Sequence, residues 1–84
     1  MSKITDLKNK LQASAPDNVI INYIGKLNEK IFFIIDYKQD AGAVGIPRII
    51  EANINDTENV KVHCNIEIYN SLVEKFPNKF KVNE

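Results

Sequence analysis

Ile31-Phe32-Phe33-Ile34-Ile35-Asp36-Tyr37 dictates how the rest of this 84-residue chain must be arranged. Its first five residues are all apolar and β-branched or aromatic, the composition of a strand. Successive strand side chains point to opposite sides, so this strand is apolar on both faces. It therefore belongs in the centre of a sheet, with a helix over at least one side. One short helix cannot cover two faces, and the same stretch raises the expectation of dimerisation or of a bound ligand. The apolar run is far below the roughly 20 residues needed to cross a bilayer as a helix.

Outward from this strand, Gly25 to Lys30 reads as a hairpin connection longer than the tightest kind, preceded by a β-branched strand from Val19 to Ile24. Before it, Ile4, Leu7, Leu11 and Ala15 recur at helical spacing behind a possible Ser2 cap, and Pro16 ends the helix. On the other side, Gln39 to Gly42 reads as a turn and Ala43 to Pro47 as an edge or strand start. Arg48 to Ile54 reads as a strand, with Ile50, Ala52 and Ile54 on one face and Ile49, Glu51 and Asn53 on the other. Asn55 to Asn59 follows as a polar loop. Val60, Val62 and Cys64 alternate with Lys61, His63 and Asn65 as a half-buried strand. Asn65 is placed to cap a second helix whose buried stripe is Ile66, Tyr69, Leu72, Val73 and Phe76, ended by Pro77. Phe80 and Val82 alternate in the tail. The expectation is an α+β fold over residues 1–84: an N-terminal helix, a mainly antiparallel sheet of about four strands and a C-terminal helix in one compact domain.

Composition narrows the function classes. At 44% hydrophobic and 26% charged residues, the chain is not of the disordered type. Its formal net charge of zero removes the general electrostatic case for nucleic acid or an anionic membrane. Lys75, Lys79 and Lys81 with Phe76 and Phe80 could imitate a stacking platform, but Phe76 belongs to the helix stripe and the lysines read as solvated. A single cysteine and an N-terminus without a signal-peptide pattern lead to the expectation of a cytoplasmic protein. The dominance of Ile, Asn and Lys, against one arginine, fits an AT-rich genome.

Catalytic sets are equally thin. His63 and Cys64 are neighbours, and on a strand they diverge, so they cannot form a nucleophile–base pair. Cys64 reads as a core thiol beside Val60 and Val62, and His63 as a solvated side chain beside Lys61. Asp36 and Glu51 read as solvent-facing or lysine-paired carboxylates. The His and Cys content is below the four ligands of a structural zinc site, and the three glycines form no phosphate loop. No enzyme, no metal and no cofactor are expected.

The stretch Ile34 to Val44 resembles the sterol-carrier-protein domain family, which shows a strand ending in Asp-x-Lys, a turn and then Gly-x-Val. Asp36, Lys38, Gly42 and Val44 stand at those positions. The resemblance implies a related fold and an apolar cavity for acyl chains or sterols. On that implication Ile20, Phe33, Ile35, Val62, Tyr69 and Val73 would line the cavity.

Two functional expectations follow. The first is a small non-catalytic protein-binding module, an adaptor or inhibitor of the kind found among phage and mobile-element accessory proteins. It would act on a protein partner or on itself as a homodimer, through its sheet edge or an exposed apolar face. Tyr37, Arg48 and Tyr69 are its candidate contact residues by type. The alternative is the lipid carrier that the resemblance implies.

Overall fold

The computed structural model describes residues 3–37 and 48–80. Helix α1 (Lys3–Ser14) leads into strands β1 (Val19–Leu27), β2 (Lys30–Tyr37), β3 (Ile49–Asn53) and β4 (Asp56–His63). Helix α2 (Ile66–Lys75) and a 3-10 turn at Pro77–Phe80 follow. The strands form one antiparallel meander in the order β1-β2-β3-β4. The α+β architecture is thus as the hydrophobic pattern indicates. The Ser2 cap, the segment from Lys38 to Pro47 and Val82 lie outside the described residues.

Both faces of β2 are buried within the chain, and by different helices. On one side Leu7 of α1 packs with Val19, Ile21, Ile31, Phe33, Ile50 and Ala52, flanked by Ile4, Leu11 and Ala15. On the other, Leu72 of α2 packs with Ile24, Phe32, Ile34 and Ile49, flanked by Ile68, Tyr69 and Phe76. The two faces of β2 therefore need no second molecule, and the argument for dimerisation drawn from that strand does not apply. Phe33 and Ile31 are wholly buried on the α1 side, and each such side chain contributes about 1.5–3 kcal/mol by burial. Tyr23 and Phe33, directly opposite on β1 and β2, stack tilted at 58° with ring centroids 5.5 Å apart.

Three local readings are corrected. The β1–β2 connection is a two-residue turn at Asn28-Glu29, with Leu27 opposite Lys30. Asn28 adopts φ 58°, the left-handed region that asparagine tolerates. Gly25, which reads as a turn residue, lies inside β1 next to a bulge, and its missing side chain admits the ring of Phe76. A Cβ there would sit under 3.0 Å from that ring. The segment Asn55 to Asn59 is mostly strand: β4 starts at Asp56 after a tight turn in which the Asn53 side chain accepts from the Asn55 N–H at 2.7 Å. The pairing shifts register between Ala52 and Asn53 to absorb the extra residues. In α2, Asn65 caps the helix by accepting from Glu67 N–H at 2.7 Å, but Ile66 is 45% exposed and Ile68 takes its place on the buried stripe.

The Gly25–Phe76 contact yields a test. Gly25→Ala must displace an aromatic ring, at a cost of about 1–3 kcal/mol by denaturant unfolding. In a Phe76→Ala background the same change should be neutral or stabilising by roughly 0.5 kcal/mol, since the strand then gains only a better strand residue. Equal costs in both backgrounds would show that the ring does not depend on the glycine.

Candidate functional site

The sheet has two edges, and the chain treats them differently. Hydrogen-bonding direction alternates along an antiparallel strand, so one bond fixes the phase of the sheet. Ile35 N–H donates to Arg48 C=O at 3.1 Å, so Ile35 and its alternates on β2 bond toward β3. Carried across the registers, this leaves Val19 and Ile21 of β1, and Val60 and Val62 of β4, with main-chain groups pointing off the sheet. At the start of the β1 edge Val19 N–H donates to Pro16 C=O at 3.0 Å, and one side chain meets two of the other groups. Gln12 of α1 donates from Nε2 to Val19 C=O at 2.7 Å, and its Oε1 accepts from Ile21 N–H at 2.8 Å. The amide thereby mimics one residue of a neighbouring strand.

No described strand lies on the outer side of β4. Its side chains are as distinctive as its position. Ile50 is opposite Val62 and Ala52 opposite Val60, so both valines point to the α1 side. There Ile50 is 5% and Ala52 2% exposed, whereas Val60 is 40% and Val62 56% exposed. Size explains the step. A helix is about 10 Å wide, while four strands spaced about 4.8 Å apart span more than that. Helix α1 covers β1, β2 and β3 and stops short of β4. The expectation that Val60, Val62 and Cys64 bury one face of this strand is therefore overturned, and Cys64 is exposed rather than a core thiol.

The opposite face of β4 is polar and partly organised. Glu51 Oε1 lies 2.9 Å from His63 Nε2, and Glu51 Oε2 lies 3.4 Å from Lys30 Nζ. The three residues sit on β2, β3 and β4, so one carboxylate ties three strands together. His63 is thus half-buried and bonded, not a freely solvated side chain. Burial alone would raise the Glu51 pKa; the bonds and charges of His63 and Lys30 outweigh it and hold the carboxyl below its ordinary value. Asp36 is far from this cluster in the register and accepts from Asn22 Nδ2 at 2.6 Å. Next to Glu51, an open groove of about 330 Å³ runs between the sheet and α2, with Leu27, Phe32, Ile68 and Leu72 as its apolar lining.

The six residues named for a single cavity are divided by the sheet. Phe33, Ile35 and Val62 point to the α1 side; Ile20 lies on the α2 side, with Tyr69 and Val73 on α2 itself. They cannot line one space, and the groove beside α2 contains none of them. Tyr37 and Arg48 come together at one end of the α1 side, both exposed, while Tyr69 packs on the opposite face. Among the described residues no cluster of three metal-ligating side chains occurs, and no helix is long and apolar enough to cross a membrane. Comparison with protein-family models, curated proteins and solved structures finds no match to this chain.

The Glu51 cluster makes stability depend on pH in a defined direction. Its folded-state pKa is depressed, so its contribution is present above about pH 4.5 and is lost as pH falls through the lower folded value. Glu51→Gln keeps the shape and removes the charge. It should cost about 1 kcal/mol at pH 7 by chemical unfolding, a modest figure because Lys30 is largely exposed, and the gap from wild type should narrow as pH falls through the depressed folded value. A gap that stays constant with pH would mean the carboxylate charge contributes nothing.

Proposed function

We propose that this protein is a small non-catalytic binding module, an adaptor or inhibitor, that takes up a polypeptide along the outer edge of β4. One observation carries the reading: Gln12 caps the start of the β1 edge, whereas among the described residues none caps the outer edge of β4, which carries two exposed valines. Exposed edges invite pairing with other chains, and proteins commonly blunt them. A strand that keeps its edge free and adds apolar side chains on one face suits strand addition, in which main-chain bonds supply affinity and alternate side chains supply specificity. Val60 and Val62 replace Tyr69 as contact residues; Tyr37 and Arg48 remain at the neighbouring end of the same face. A setting in the cytoplasm accords with the single exposed thiol.

The groove beside α2 supports a second reading, the binding of a lipid or acyl chain, through residues other than those the family resemblance implies. A volume of about 330 Å³ is at the low end for a small-molecule site, and the groove is open. Edge binding therefore ranks first.

A photo-crosslinking side chain at Val62 tests the first reading, with the same group at Lys10 on exposed α1 as control. In cells of the natural host, position 62 should give discrete polypeptide adducts and position 10 should not. Absence of adducts at position 62, together with a lipid retained in native mass spectrometry and released by Leu72→Trp, would transfer the function to the groove.

A further inference from the structure

We infer that the polypeptide seated on β4 is a second copy of this chain, paired antiparallel about a two-fold axis at Val62; the inference rests on the edge-binding reading. In a continuous antiparallel sheet, directly opposed residues share a face, so a two-fold axis between identical strands must pass through a residue and not between two. For the stretch around Val60 and Val62, three positions are available. An axis at Lys61 sets Lys61 directly opposite its own copy, and like charges so placed repel. An axis at Val60 brings the irregular stretch Thr57–Asn59, where the pairing with β3 shifts register, and its Glu58 carboxylate into the seam.

An axis at Val62 avoids both conflicts. Val62 faces its counterpart, and Val60 faces Cys64 in each direction, so every pair on that side is apolar. On the other side Lys61 faces His63 of the second copy, an imidazole already bonded to a carboxylate. The main-chain phase agrees, because Val60 and Val62 are the residues whose N–H and C=O groups point outward, and Cys64 follows by the same alternation. The backbone remains extended as far as Asn65, with φ −119° and ψ 121°, so the strand can pair through Cys64 before α2 begins. Cys64 is exposed and open to a partner. The strand is thus complementary to itself in one register, and the product is an eight-stranded sheet with both copies of α1 on one side. An isologous contact of this kind uses the same edge of both copies and so closes at two.

Sedimentation velocity from micromolar to about 1 mM reads the association directly. The full chain should show a reversible monomer–dimer equilibrium, and Val62→Lys should weaken it at least about tenfold, since it sets two lysines against each other at the axis. Ile66→Lys, an exposed apolar position outside the strand, should leave the constant within about twofold. Register is read by cysteine pairs in a Cys64→Ser background. Val62→Cys should form an intermolecular disulfide on mild oxidation, because opposed residues of a hydrogen-bonded pair lie about 5.5 Å apart between Cα atoms. Val60→Cys should not, because its copies would lie roughly 14 Å apart along the strands. Preferential crosslinking at position 60 would overturn the assigned axis. A chain that stays monomeric at about 1 mM would overturn self-pairing. If that monomer still gives adducts with other polypeptides from position 62, the edge reading survives; with no adducts, both fall.

Discussion

Everything in the described fold follows from a strand that must hide two faces and has one α-helix for each. Placing α1 on one side of β2 and α2 on the other satisfies it, and the sheet order then centres β2 and β3 under the cover. The cost is borne at the margin. With one helix per side and four strands to cover, neither helix can be wide enough, and the strand farthest from α1 is left bare on that side. On the α2 side the chain adapts by making β4 polar, with Lys61 and His63 facing solvent and Glu51. On the α1 side it does not adapt, and Val60 and Val62 remain apolar where nothing in the described chain covers them. The mismatch between cover and side-chain choice is what gives the molecule a recognisable surface.

The two edges illustrate how differently the same physical liability can be handled. At β1 a glutamine on the adjacent helix supplies one donor and one acceptor in the spacing of a strand. A glutamate could accept but not donate, and an asparagine would be a methylene shorter, so the device depends on one particular amide. At β4 no described strand meets the corresponding groups. Val60 and Val62 are β-branched and pre-shaped for a pleated surface, so this edge is an ordered template.

The architecture was legible in the sequence because the residues that define it speak in periodic patterns. Ile31 to Ile35 announced the central strand; Leu7 and Leu11 announced α1; Asn65 announced the cap of α2, and the alternation of β3 was readable residue by residue. What was not legible depends on relations between elements. Gly25 looks like punctuation in a local window and is in fact a seat for Phe76, near the far end of the described chain. Glu51, His63 and Lys30 meet only once three strands are in register. Periodicity marks Val60 and Val62 as a buried face, since it reports which side is apolar and cannot report how far a helix reaches. Gln12 carries no local signal at all, being one more polar residue on an amphipathic helix.

The seat at Gly25 also bears on how the molecule comes into being. Chains emerge from the ribosome with the N-terminus first, at about 5–20 residues per second. Helix α1 and the meander can assemble from neighbouring segments as they appear, but Phe76 reaches Gly25 only after all four strands and α2 have been made. Until then Phe32, Ile34 and Ile49 form an uncovered apolar sheet face on a nascent protein. A pause in translation before residue 76 would hold the chain in this half-covered form, and a protein whose mature surface is almost neutral would meet its most adhesive moment during birth.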